Sequence, residues 1–295
     1  LLTVRTFRMP ILSTLRRSRA ASLMILFATL GLVGTAGAFG ACSDTERAAD
    51  DTAPDSTSAP IVRTPTYGYE IVATYPHDPK AFTQGLQWHD GRLFESTGQV
   101  KESNLREVEL TTGRVLRQQD LEEPYFGEGI VILGDELFQI TWQNGKAFTY
   151  NPKTFARQKT FSYDGEGWGL TTDGSAVIMS NGSSTLIYRD PATFKALKAI
   201  TVTDKGVPVS QLNELEWVKG EIWANVWQSE QIARIDPATG NVLGWIDLTG
   251  ILPAMDRSGN EDVLNGIAYD AAQDRIFVTG KYWSRLFHIR LTPKS

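Results

Sequence analysis

The chain has 295 residues, a formal net charge of −5 and one cysteine. A single thiol excludes an internal disulfide, and the negative charge argues against nucleic acid or an anionic surface as partner. The length alone would allow two domains, but the chain carries an internal repeat, which overrides that prior.

Residues 1–42 read as an export signal. Arg16, Arg17 and Arg19 form a basic start, and Ala20 to Ser43 carries no charge and is rich in Ala, Leu and Gly. The arginine pair is followed by Ser-Arg-Ala, a poor match to the twin-arginine route. Cys42 follows Phe39-Gly40-Ala41 and is a candidate lipid-attachment point of the lipoprotein type, although Phe39 stands where lipoproteins usually carry Leu. Ordinary cleavage near Ala38–Ala41 and an uncleaved apolar helix are the competing readings. All three deliver the domain outside the cytoplasmic membrane, as a periplasmic or otherwise extracytoplasmic protein, and the lipid would anchor it there. Residues 43–64 are polar, acidic and rich in Ser, Thr and Pro, which is the composition of a disordered tether. The first 43 residues hold five Arg and no acid, so removing them takes the net charge from −5 to −10.

Residues 65–295 carry one pattern written five times. Gln84-Gly-Leu, Glu128-Gly-Ile, Trp168-Gly-Leu, Asn213-Glu-Leu and Asn265-Gly-Ile each open an apolar strand that a turn joins to a second strand. Their first residues step by 44, 40, 45 and 52. A second half repeats as well. Leu105–Leu110 precedes Thr-Thr-Gly113, and Ala147–Tyr150 precedes Asn-Pro-Lys-Thr-Phe155. Leu186–Arg189 precedes Asp-Pro-Ala-Thr-Phe194, and Ile232–Ile235 precedes Asp-Pro-Ala-Thr-Gly240. Proline presets φ for each turn and Asp or Asn caps it. Four strands per unit and five units predict an all-β fold, a five-bladed β-propeller. The fifth unit ends at Phe287–Leu291, one strand short. Tyr69–Tyr75 is therefore expected to pair into the last blade and close the ring.

In a propeller the innermost strands all start on one face, and the second strands end there. That brings Gln84, Glu128, Trp168, Asn213 and Asn265 to one mouth, together with positions near Gly98, Trp142, Asn181, Trp227 and Lys281. Equivalent positions filled by unlike residues mark a site, because a ligand is not five-fold symmetric. Plain structural roles compete with that reading. Trp88, Trp217, Trp223 and Trp245 are assigned to the core; Asn213 and Asn265 can serve as turn residues that bond their own backbone. Glu128 can be a solvated loop acid, but flanking glycines and the aromatics Tyr125 and Phe126 favour a partly desolvated carboxyl. Glu166, framed by Gly165 and Gly167, is a second acid; it falls two residues earlier in its unit and is expected to be less central.

Several chemistries are set aside. His77, His89 and His288 share no ligand spacing and the domain has no thiolate, which argues against zinc. There is no nucleophile-elbow Gly-Xaa-Ser-Xaa-Gly and no phosphate-cradling Gly loop with Lys. The acids form no calcium-loop pattern, although a carboxylate-lined channel can still hold a structural calcium.

Taken together, the motifs resemble the plant-type and bacterial glutaminyl-peptide cyclotransferases, also called glutamine cyclotransferases. The resemblance runs from about Tyr67 to Ile289. It is carried by Phe82-Thr-Gln-Gly-Leu86, Tyr125-Phe-Gly-Glu-Gly-Ile130, Gln139-Ile-Thr-Trp-Gln143, Gly165-Glu-Gly-Trp-Gly-Leu170 and Met179-Ser-Asn-Gly182. Further on it is carried by Leu212-Asn-Glu-Leu-Glu-Trp217, Ile222-Trp-Ala-Asn-Val-Trp227, Leu264-Asn-Gly-Ile267 and Val278-Thr-Gly-Lys-Tyr-Trp283. Each piece alone is weak; in order, on the repeat frame, they are specific. The domain has no cysteine, where plant members can carry a disulfide. The resemblance implies a five-bladed propeller and cyclisation of an N-terminal glutaminyl residue to pyroglutamate with loss of ammonia, an aminoacyltransferase reaction that requires no metal. It implies Glu128 as proton shuttle, Gln84 and Asn213 as amide donors, and Lys281 as the cation that steadies developing negative charge. Phe82, Trp142, Trp168 and Trp227 would bind the substrate, and Asn265 joins them as a mouth residue. The expected partner is a peptide or protein with N-terminal Gln, acted on by a monomer. Two other classes compete: a non-catalytic propeller that binds peptide N-termini or a sugar, and a calcium-dependent propeller lactonase. An intact Glu128 speaks against the first, and one or two acids at the mouth are too few for the second.

Overall fold

Period-two alternation of apolar and polar residues gives each strand two faces, and here both faces are used. A computed structural model describes residues 63–294. The expected export signal at residues 1–42, Cys42 with it, and nearly all of the expected tether lie outside the described residues. The described chain is all-β; its helical content is a single 3-10 turn, Ala254–Asp256.

The strands come in consecutive antiparallel groups. The first is β1 (Thr66–Pro76) alone. Then follow β2 (Thr83–His89), β3 (Arg92–Thr97), β4 (Asn104–Val108) and β5 (Val115–Asp120) as one four-stranded sheet. A second sheet holds β6 (Gly127–Leu133), β7 (Glu136–Thr141), β8 (Lys146–Tyr150) and β9 (Arg157–Ser162). A third holds β10 (Leu170–Thr172), β11 (Val177–Met179), β12 (Thr185–Arg189) and β13 (Ala196–Thr201). A small hairpin, β14 (Thr203–Asp204) and β15 (Val207–Pro208), precedes β16 (Leu212–Val218), β17 (Glu221–Val226), β18 (Gln231–Ile235) and β19 (Val242–Asp247). The last strands are β20 (Leu264–Asp270), β21 (Arg275–Gly280) and β22 (Arg285–Pro293).

β1 pairs antiparallel with β22 from Tyr67↔Pro293 to Pro76↔Arg285, with a bulge between Ile71 and Ala73. Its first residues also pair in parallel with β19, Thr66↔Trp245 and Tyr67↔Ile246. That short parallel ladder fuses β16–β19 and β20–β22 into one eight-stranded sheet of order β16-β17-β18-β19-β1-β22-β21-β20. Separate sheets for the last two units were expected. The fusion arises because the start of β1 is bonded on both edges, Tyr67 facing Pro293 of β22 on one side and Ile246 of β19 on the other.

The apolar core lies between groups rather than within one. Phe94 and Leu105 of the first group pack with Ile130 and Phe148 of the second. Val131 and Phe138 of the second pack with Leu170 and Val177 of the third. Ile178 and Tyr188 meet Leu215 and Ile222; Trp223 and Ile246 meet Ile267, Val278 and Phe287. Phe277 and Leu286 then return to Leu86 and Leu93 of the first group. Adjacent residues of β6 therefore serve opposite neighbours, Ile130 one side and Val131 the other, as strand geometry requires. Trp223 is fully buried, while Trp88, Trp217 and Trp245 are half-buried at the edges of these clusters.

The innermost strands approach one another closely, which explains the glycine in the repeat. A Cβ on Gly129 would stand 2.5 Å from the Leu170 nitrogen, and one on Gly169 would stand 2.1 Å from the Asn213 oxygen. The Gly129 N–H donates to the Trp168 carbonyl at 2.8 Å across the same gap.

Candidate active site

Four inner hairpins share one irregularity. The β2/β3 ladder shifts register between Thr83 and Gly85, and β6/β7 between Gly127 and Ile130. The β16/β17 ladder shifts between Leu212 and Leu215, and β20/β21 between Leu264 and Ile267. Each is a β-bulge, with one residue more on the inner strand than on its partner. Bulges leave a residue unpaired and re-aim its side chain. The residues so placed include Gln84, Glu128, Asn213 and Asn265. In the remaining group Trp168 sits just before β10 and donates its backbone N–H to the Ser180 carbonyl at 3.0 Å.

Around these bulges lies a cavity of about 350 Å³. Its walls include Phe82, Gln84, Glu128, Trp142, Trp168, Asn213, Trp227 and Lys281, with Gln99, Phe126 and Asp262 completing them. A larger cavity, about 480 Å³, opens between β16–β18 and β20–β22 near Lys219 and Asp274. Its cations are already matched: Arg234 to Glu221 at 2.7 Å, Arg275 to Asp270 at 2.7 Å and Arg290 to Glu70 at 3.1 Å. The smaller cavity is the one with unmatched chemistry.

Glu128 is 4% exposed and accepts one hydrogen bond, from Gln84 Nε2 at 3.1 Å. Burial pushes its carboxyl well above the usual range; the Lys281 ammonium opposes the shift and the Glu166 carboxylate adds to it. Lys281 is equally buried and its pKa is depressed by burial, against the pull of Glu128 and Asp262. Desolvation is thus the largest cause for both groups. The Lys281 ammonium stands 4.6 Å from the centre of the Phe82 ring. Asn213 Oδ1 is buried with no hydrogen-bond partner among the described residues.

The apolar walls are aromatic pairs. Phe82 meets Phe126 edge-on at 6.0 Å, and Phe126 meets Trp142 at 5.6 Å. Trp168 and Trp227 form a T-shaped pair at 5.7 Å. Such pairs hold ring orientation beyond simple burial. Gly98 does not line the cavity. It makes room for the wall instead, since a Cβ there would lie 2.3 Å from the Phe126 ring. Asn181 caps a turn, accepting the Ser183 backbone N–H at 3.2 Å.

One expectation changes, and one acid takes a part of its own. Asn265, read as a substrate-binding residue, is fully buried behind the cavity wall. Its amide donates to the Thr83 carbonyl at 2.9 Å and to Gln84 Oε1 at 3.4 Å, so it orients Gln84 from behind. Its bulge turns it toward the neighbouring β2 rather than into the opening. Glu166, read as the less central acid, reaches sideways between two walls. Trp142 and Trp168 both donate their indole N–H groups to its Oε2.

Gln99, Phe126 and Asp262 were not singled out from sequence. Phe126 had a signal, since it precedes Gly127-Glu128-Gly129. Asp262 lies in the loop that makes the last repeat step the longest, and that insertion hinted at it.

A sequence profile described as glutamine cyclotransferase matches residues 42–291. A glutaminyl-peptide cyclotransferase of Arabidopsis thaliana is 46% identical over 230 residues, covering 77% of this chain and 72% of that protein. The crystal structure of Myxococcus xanthus glutaminyl cyclase superposes with a TM-score of 0.74 at 39% identity, covering 79% of this chain and all of that one. On sequence and fold, this chain belongs to the glutamine cyclotransferase family.

Proposed function

We propose that this chain converts N-terminal glutaminyl residues of peptides and proteins to pyroglutamate with release of ammonia. The observation that carries the reading is the buried Glu128 carboxyl, faced by Lys281 inside an aromatic slot. In the reaction the substrate's α-amine nitrogen attacks the carbon of its own side-chain amide. The new C–N bond makes a tetrahedral centre bearing an oxyanion. The bond to the amide nitrogen then breaks, and ammonia leaves with the proton that the amine gave up. The attacking amine must be neutral, which its reference pKa of about 7.7–8.0 makes easy.

Each demand of that sequence has a side chain to meet it. Phe82, Trp142, Trp168 and Trp227 impose the folded conformer that brings amine and amide together. Glu128 takes the proton from the amine and returns it to the leaving nitrogen; a carboxyl whose pKa burial raises is a better base and can still give the proton back. Gln84 gives one amide hydrogen to Glu128 and has a second for the substrate. Asn213 offers its amide to the substrate, and Lys281 steadies the oxyanion in a site where water is scarce. The route uses side chains alone. Among the described residues no group of three or more His, Cys, Asp or Glu is arranged to hold a metal.

The same reading extends to the rest of the chain. The five inter-group cores run from each group to the next and back to the first, which supports a five-bladed propeller with β1 as the closing strand. Residues 65–295 would be this catalytic domain, acting as a monomer. Residues 1–42 would direct export, with Cys42 as a lipid-attachment point and 43–64 as the tether. A mature N-terminus mapped to Cys42 and carrying a diacylglyceryl group supports the lipid; release unchanged by Cys42→Ser removes it.

The test of function is ammonia release from a short Gln-initiated peptide, with and without chelator, against the same peptide begun with Asn. Release from Gln alone, unaffected by the chelator, is expected. Peptide binding without ammonia would overturn the catalytic reading, and loss on chelation would overturn the metal-free route.

A further inference from the structure

Glu166 lies on the loop between β9 and β10, outside any strand. Three side-chain donors converge on its carboxylate. Trp142 and Trp168 reach Oε2 at 2.8 and 2.9 Å, and Gln143 reaches Oε1 at 3.1 Å. Trp142 follows the end of β7, whereas Trp168 opens the next group. Near this point the two segments share a backbone bond, from the Gly167 N–H to the Trp142 carbonyl at 3.0 Å, which fixes the chain but not the rings. Trp142 is 38% exposed and stacks edge-on against Phe126 on one side. The carboxylate is what couples its indole to that of Trp168.

We propose that Glu166 is a positioning residue for cyclisation: its carboxylate locks the Trp142 and Trp168 indoles into one wall and presents a fixed negative charge to Glu128. The inference rests on the cyclisation reading. The indole N–H is a donor without acceptor capacity, so a single ionised oxygen can serve two rings at once. Burial pushes the Glu166 carboxyl up, but the bonds from Trp168, Gln143 and Trp142 outweigh it, and the group stays ionised at neutral pH. The charged and titratable groups facing Glu128 are then Lys281, which favours its ionised form, Glu166, which opposes it, and the Tyr163 phenol beneath. Asp262 acts from the rim through Lys281.

Two variants separate clamp from charge. Glu166→Gln keeps an oxygen for both indoles and can turn its amide toward the Gln143 carbonyl oxygen, but it loses the charge. Glu166→Ala loses both. For Glu166→Gln, KM and tryptophan fluorescence are expected to stay near wild type. The acid limb of its kcat–pH profile should move to lower pH, because Glu128 loses a neighbour that holds its proton. For Glu166→Ala, KM should rise about tenfold or more with the loss of all three charge-assisted bonds, two of them from the indoles. Its fluorescence should become more open to a soluble quencher, and its melting temperature should stay close to wild type. Wild-type KM and quenching in Glu166→Ala would overturn the clamp. An unmoved acid limb in Glu166→Gln would overturn the charge role, and an alanine protein that does not fold would overturn the positioning role, since the carboxylate would then be needed for the fold itself. A wild-type protein that releases no ammonia would sink the cyclisation reading instead, and quenching of the two variants would still judge the clamp.

Discussion

Replacing Glu128 by Gln changes one atom type at a buried ionisable position of the site. The amide keeps the size of the carboxyl and an oxygen to accept the Gln84 hydrogen bond, now 3.1 Å long, but it cannot carry a proton back and forth. Proton transfer by a placed side chain is worth about 10²–10⁴-fold in rate. At about 1.36 kcal/mol per decade, that corresponds to about 3–5 kcal/mol of barrier. The expected result is a kcat lower by that factor with KM nearly unchanged, since the group acts in the transition state rather than on the ground state. Stability should move the other way. The folded carboxyl holds its proton well above the usual range because it is buried. An unfolded glutamate ionises near about pH 4.3. Above that pH the unfolded chain gains from ionisation while the folded chain does not, so wild-type stability declines as pH rises toward the folded pKa. The amide has no such penalty. Glu128→Gln should therefore melt no lower than wild type at neutral and alkaline pH, and the difference should shrink in acid. Ammonia release measured by a coupled assay across pH, beside thermal melts at the same pH values, reads both effects. Turnover near wild type in a folded variant would refute the shuttle. A lower melting temperature would refute the claim that desolvation dominates the site.

Other expectations follow from the same geometry. Lys281→Met should lower kcat and move the acid limb of the pH profile to higher pH, opposite in sign to Glu166→Gln, because Glu128 loses its opposing cation; a shift to lower pH would contradict the assignment. Glu95 is buried between Arg106 at 2.8 Å and His77 at 3.0 Å, and their charges outweigh burial to hold its carboxyl far below the usual range. Glu95→Gln should cost about 3–5 kcal/mol by leaving a buried cation poorly matched, as read from denaturant melts. Deleting residues 66–75 strips β22 of its partner and exposes a strand edge, so light scattering should report aggregation; a soluble, fully active deletion would count against β1 as the closing strand.

The repeat was legible because its cause is local. Glycine recurs where inner strands nearly touch, as at Gly129 and Gly169, and the turn residues recur where each outer hairpin reverses. Counting strands from those marks puts Gln84, Glu128, Asn213, Trp142, Trp168, Trp227 and Lys281 on one face, and the cavity gathers them. What was not legible depends on sideways reach. Period-two counting assumes an unbroken ladder, and a bulge inserts one residue exactly where the site residues stand, so direction could not be read from parity. Asn265 and Gln84 occupy equivalent places in the repeat, yet one backs the other. Glu166 lies off the strand frame, and nothing in its own segment shows that a tryptophan more than twenty residues earlier donates to it. The eight-stranded sheet depends on how far β1 extends, a length that composition does not set.

The pairing of β1 with β22 has a consequence in time. Arg290 and Glu70, bonded across that ladder, are 220 residues apart in the chain. A growing polypeptide cannot form this contact until β22 has been made, and closing so long a loop is slow. The first group meanwhile lacks the Phe277 and Leu286 side chains that cover its outer apolar face. The early strands thus depend for part of their cover on β21 and β22, which are made much later.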